Sequence, residues 1–151
     1  MSDSKPILLV EDDCVDIMVV KRTLRDLGVT ADLACAGDGE EAMAYLADKN
    51  RQAPCVILLD LNMPKMDGFE FLRVVKTNET LKDIPVVVVT TSGDKRDMAE
   101  SFERGAAAYV VKSLDYSVFR ETMKTIERYV ISIRPSENLD TACLSKTTSS
   151  L

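Results

Sequence analysis

The chain has 151 residues, of which 46% are apolar and 29% charged, and its net charge is −6. That length suits one domain whose core needs no staples, and the acidic balance argues against broad binding to a nucleic-acid backbone, which needs a basic patch. The chain has no histidine, which excludes a Ser-His-Asp or Cys-His site, His-ligated zinc, and phosphohistidine chemistry carried by the chain itself.

In chain order, "KPILLV" (5–10) is a short apolar run that stops at Glu11-Asp12-Asp13. From Cys14 to Leu27 the pattern turns helical, with Ile17, Val20, Leu24 and Leu27 on one face and Gly28 at the end. "TADLAC" (30–35) alternates weakly, like an outer strand, and residues 37–50 read as a turn and a helix. "CVILLD" (55–60) predicts a buried strand. Asp67, with Glu70 three residues on, opens the next helix in the manner of a capping box, and Phe71, Leu72 and Val75 supply its apolar face.

"IPVVVVTTS" (84–92) predicts another buried strand. Ser92-Gly93-Asp94 caps a polar helix ending near Gly105, with only Met98, Ala99 and Phe102 to anchor it, so it is expected to be loosely held. "AAYVVK" (107–112) predicts a fifth strand. Phe119, Met123, Ile126, Val130 and Ile133 mark a strongly amphipathic last helix. Strands and helices alternate throughout, which predicts an α/β fold: a parallel sheet with helices on both faces. From Arg134 the pattern stops and Ser and Thr dominate, so 1–133 reads as one domain and 134–151 as a mobile tail with no output domain after it.

No apolar run approaches the ~18–20 residues of a membrane span, and "MSDSKP" lacks the basic flank and apolar region of a signal peptide. Cys14, Cys35, Cys55 and Cys143 form no C-x-x-C pair. Free thiols in a reducing, cytoplasmic setting are the expectation.

Polar groups stand at the strand ends. Glu11-Asp12-Asp13 follows the first strand, Asp60 ends the third, Thr90 the fourth and Lys112 the fifth. In open α/β sheets ligands bind at that carboxyl edge. If the first and third strands are neighbours, at least three carboxylates crowd together there, and a hard, oxygen-seeking cation such as Mg2+ offsets them. A lysine, a hydroxyl and a metal around a carboxylate make a pocket for a phosphoryl group on that carboxylate. Asp60, last on the central strand, is the candidate nucleophile.

With "ILLVEDD", "VILLDLNMPKMDG", "IPVVVVTTS" and "GAAAYVVK" in this order, residues 5–133 resemble the receiver domain of two-component response regulators. The resemblance implies a flavodoxin-like, doubly wound sheet of five parallel strands in the order 2-1-3-4-5. It implies that Asp60 accepts a phosphoryl group from a partner kinase's phosphohistidine. Glu11 and Asp12 would form the acidic pair, and Asp12, Asp60 and the backbone carbonyl of Asn62 would bind Mg2+. Lys112 would pair with the phosphoryl group, Thr90 would swing in to hydrogen-bond it, and Tyr109 would follow as the aromatic switch. Asn62 and Ser92 lie where the family tunes the lifetime of its aspartyl phosphate. The chain is similar to stand-alone receivers, among them those paired with phytochrome-type kinases, and the missing histidine then belongs to the partner.

Two features depart from the family pattern: Ser113 stands where a proline usually follows the lysine, and no output domain is expected after the receiver. Val15, Met18 and Val19 sit off the core face of the first helix, near the acids, and are expected to receive a sensor histidine kinase or phosphotransfer protein. The fourth helix, fifth strand and last helix are expected to meet a downstream target or a second copy of the chain. Among rivals, a phosphohydrolase with an aspartyl nucleophile usually needs a second Asp two residues on, where this chain has Asn62. A partner-binding module that takes no phosphate would not need the set of acids, Thr90 and Lys112. A nucleotide-binding protein lacks its glycine-rich loop.

Overall fold

The computed structural model describes residues 5–131. Five short strands, β1 (Ile7–Val10), β2 (Leu33–Ala36), β3 (Val56–Leu59), β4 (Val86–Thr90) and β5 (Ala108–Val111), pair in parallel in the order β2-β1-β3-β4-β5. This is the order the family resemblance implies. Between and after them run α1 (Cys14–Asp26), α2 (Gly39–Ala47), α3 (Gly68–Thr77), α4 (Lys95–Glu103), α5 (Tyr116–Met123), a 3-10 turn (Lys124–Ile126) and α6 (Glu127–Ile131).

The inner strands β1 and β3, and β4 up to Val89, are apolar and buried throughout because both sheet faces are covered there. Ile7, Leu9, Val56, Leu58, Val87, Val89 and Val110 face one layer, where α1 brings Val20 and Leu24 and the C-terminal helices bring Phe119, Met123, Ile126 and Val130. Leu8, Val10, Ile57, Leu59, Val86 and Val88 face the other, beneath Ala42 of α2 and Phe71, Leu72 and Val75 of α3. Each helix from α1 to α5 starts on an aspartate whose carboxylate accepts from first-turn amides: Asp13, Asp38, Asp67, Asp94 and Asp115. Such caps fix where each helix leaves the sheet edge. α1 ends at Gly28, whose φ of +81° suits glycine.

Three expectations need correction. The last helix is not continuous: it tightens into the 3-10 turn at Lys124–Ile126 before α6, while still burying Phe119, Met123, Ile126 and Val130. Ile133 and the tail 134–151 lie outside the described residues. In α1, Val15 and Met18 are exposed, but Val19 is half-buried and packs on the core. The helix is turned so that Thr23, one turn after Val19 on that flank, is fully buried, leaving Ile17 and Leu27 at the core's margin. In α4, Ala99 and Phe102 are exposed and the buried residue is Ser101. Its hydroxyl is spent on the Asp97 carbonyl within the helix, so α4 has little apolar hold on the sheet.

Candidate functional site

β1 and β3 are neighbours in register, Val10 beside Leu59, so the residues that follow them, Glu11 and Asp60, leave the sheet side by side. Oxygens of Glu11, Asp12 and Asp60 lie within 4.8 Å of one another. Glu11 and Asp60 are buried and Asp12 is exposed. Asp13 is not part of the group: its carboxylate caps α1, accepting from the amides of Val15 at 2.8 Å and Asp16 at 3.1 Å.

Lys112 arrives from β5 at the far side. Its backbone amide donates to the Thr90 carbonyl at 2.7 Å, which anchors the strand end. Its ammonium donates to Glu11 Oε1 and Asp16 Oδ2, each at 2.7 Å, and lies 3.6 Å from Asp60 Oδ2. The Lys112–Ser113 peptide bond is trans, as is every peptide bond among the described residues. Asp16 is the residue that sequence reasoning missed. An acid in a first helical turn reads as a complement to the helix dipole; only a lysine 96 residues away in the chain makes it part of the site.

Electrostatics follow from this crowding. The Glu11 carboxyl is pushed up to about 7, mainly by burial and further by the charge of Asp60, against the bond from Lys112. Burial pulls Lys112 down, yet its bonds to Asp16 and Glu11 and the charge of Asp60 outweigh it and hold the ammonium above its ordinary value. The cluster thus holds more carboxylates than one ammonium offsets. All three acids offer hard oxygen ligands, and that donor set fits a hard divalent cation.

The remaining predicted residues surround this centre. Thr90, fully buried, ends β4. The Asn62 amide donates to Asp60 Oδ1 at 3.3 Å, in the exposed turn after β3. The Ser92 hydroxyl donates to Asp97 Oδ2 at 2.6 Å and is thereby tied to the start of α4. The Tyr109 hydroxyl donates to the Ser92 carbonyl at 2.9 Å, linking β5 to the same loop. The structure therefore brings Glu11, Asp12, Asp60 and Lys112 together, with Thr90 and Asn62 beside them. Ser92 and Tyr109 pair at the start of α4, and the Ser92 amide, which donates to the Thr90 hydroxyl at 3.4 Å, joins that pair to Thr90. Val15 and Val19 line a groove with Asp16, Lys112, Ser113 and Leu114, while Met18 lies on the outer face of α1.

The family model for the response regulator receiver domain matches residues 7–124. The chain belongs to the response regulator receiver family. This receiver is 40% identical over 129 residues to the response regulator Rcp1 of Synechocystis, covering 83% of this chain and 88% of that protein. It is similar to the crystal structure of the Mn2+-bound form of Rcp1, with a TM-score of 0.74 at 40% identity, covering 82% of this chain and 91% of that one. It is also similar to the crystal structure of the phosphorylated cyanobacterial phytochrome response regulator RcpA, with a TM-score of 0.76 at 38% identity over 87% of this receiver and 97% of that chain. A receiver domain is a signalling module rather than a classical enzyme. No helix among the described residues is long and apolar enough to cross a membrane.

Proposed function

We propose that this receiver takes a phosphoryl group on Asp60 from the phosphohistidine of a sensor kinase or phosphotransfer protein. One observation carries the reading: the Lys112 ammonium stands 3.6 Å from the Asp60 carboxylate, at the edge where Glu11 and Asp12 converge with it. A carboxylate oxygen of Asp60 attacks phosphorus, a P–O bond forms, the P–N bond to the donor imidazole breaks, and the imidazole leaves with that electron pair. The product is an aspartyl phosphate, which water later hydrolyses.

Glu11, Asp12 and Asp60, with the backbone carbonyl of Asn62, would hold Mg2+. A bound cation supplies charge neutralisation to the incoming phosphoryl oxygens. The chain's own residues do the rest. The stiff strand β3 holds Asp60 still. Lys112 provides a charge-assisted donor, and the buried hydroxyl of Thr90 provides a neutral one. The Mn2+ in the Rcp1 structure and the phosphorylated state of RcpA support both halves of this reading.

Phosphorylation then biases the region between Thr90 and Tyr109, and with it the face formed by α4, β5 and the last helices, where a target protein or a second copy binds. Val15 and Met18, exposed on α1 beside the site, receive the phosphodonor. Residues 1–133 act as the receiver in the cytoplasm, and the domain catalyses only its own phosphorylation and dephosphorylation.

The test is intact mass after incubation with Mg2+ and acetyl phosphate, beside Asp60→Asn. One added phosphoryl group on the wild type alone is expected. No adduct under rapid quench would leave the receiver fold without its chemistry.

A further inference from the structure

The Lys112 ammonium has three N–H bonds to give. Two go to Glu11 and Asp16 at 2.7 Å, and Asp60 stands off at 3.6 Å. A phosphoryl group on Asp60 would present new anionic oxygens to this ammonium; one N–H is free for them, and a second short charge-assisted bond, or a move of the ammonium toward Asp60, takes Lys112 from one of its present partners.

Desolvation decides which one yields. The Glu11 side chain is 2% exposed, and its other protein hydrogen bond is a 3.2 Å contact from the Asp13 amide. Taking the ammonium away would leave this buried carboxylate the Asp13 amide as its hydrogen-bond donor. The Asp16 side chain is 33% exposed, at the rim of the groove beside α1, where water takes the place of the ammonium. Asp16 is not the helix cap, which is Asp13, so releasing it leaves the start of α1 intact.

We propose that Asp16 is a positioning residue for Lys112: it holds the ammonium in the resting receiver and gives it up to the phosphoryl group, so that it opposes the phosphorylated state. The inference rests on the reading of Asp60 as phosphoacceptor. Asp16 also lines the groove with Val15, Val19, Leu114 and Tyr116, so the exchange frees a carboxylate on the surface beside the docking residues. On loss of the phosphoryl group, Asp16 recaptures Lys112.

The test titrates the full chain with beryllofluoride in Mg2+, comparing wild type, Asp16→Asn and Asp16→Glu. Asp16→Asn is expected to bind about three- to fivefold more tightly, the scale of an ion pair at the edge of solvent. Asp16→Glu is expected to return the affinity toward wild type. In the wild type, the carboxylate 13C resonance of Asp16 should move toward the position of a solvated aspartate when beryllofluoride binds, a readout that needs no variant. Equal or weaker binding by a folded Asp16→Asn, or an Asp16 resonance that stays in place, overturns the inference while leaving Asp60 untouched. Failure of the wild type itself to bind beryllofluoride would overturn the phosphoacceptor reading, and this inference with it.

Discussion

Gly68 lies against the carbonyl oxygen of Asp60: a Cβ at Gly68 would come within 2.8 Å of that oxygen and 2.5 Å of the Leu61 Cα. The Gly68 amide also donates to the Leu61 carbonyl at 3.0 Å. The start of α3 is therefore pressed onto the backbone that carries the proposed phosphoacceptor, and the atoms in the way are backbone, which does not swing aside. Gly68→Ala should cost about 1–3 kcal/mol of stability, the usual scale of overpacking, and should slow phosphorylation by acetyl phosphate more than a remote substitution of equal cost. Urea unfolding and intact-mass kinetics check both halves. An unchanged phosphorylation rate would separate α3 from the placement of Asp60.

The raised carboxyl of Glu11 sets a pH dependence. It titrates near 7 in the folded receiver and near 4.5 when unfolded. Between these values the folded state binds more protons, so stability of the metal-free protein falls as pH rises from about 4.5 to about 7 and then levels off. Lys112, held above 10.5, keeps its proton throughout this window. At the proposed metal site a cation would displace the Glu11 proton, so Mn2+ affinity should rise from about pH 6 to about pH 8. Glu11→Gln should flatten that profile. Calorimetric titration at the two pH values gives the answer, and equal affinities would contradict it.

Met18 is 67% exposed and Val15 63%, both on α1. Met18→Asp should leave stability within about 0.5 kcal/mol, as surface changes do, and leave phosphorylation by acetyl phosphate intact. Transfer from a phosphohistidine donor should fall at least tenfold. Equal loss with both donors would count against docking on this helix.

Tyr109 and Ser92 provide a second mechanical link. Tyr109→Phe removes the hydroxyl that holds the Ser92 carbonyl, at a cost of about 0.5–1.5 kcal/mol. Amide exchange at the start of α4 should speed up in the variant. In the wild type, beryllofluoride with Mg2+ should change exchange across α4 and β5. No change there on adding the analogue would sever this face from the phosphorylation site.

Much of the architecture was written in local pattern. Apolar runs such as Val56–Leu59 pointed to strands covered on both faces, and the caps read at Asp67 and Asp94 marked two of the exits from the sheet. Even the edge where chemistry belongs could be read, because Asp60 ends an otherwise wholly apolar strand. The last helix was misread, because amphipathic spacing continues through the 3-10 turn at Lys124–Ile126 and conceals the change of winding. Val19 was misplaced for a related reason: it lies on the shoulder of α1, where a small rotation about the helix axis decides between core and solvent.

The sequence by itself determined the element order, the covered sheet and the residue types gathered at its carboxyl edge, because apolar periodicity and capping act over a few residues. Only the tertiary structure decided which charges meet. That Lys112 reaches Asp16, 96 residues away, as closely as Glu11, 101 residues away, depends on how helices lie across the sheet. Charge pairing over such separations is set by packing, and no local pattern encodes it.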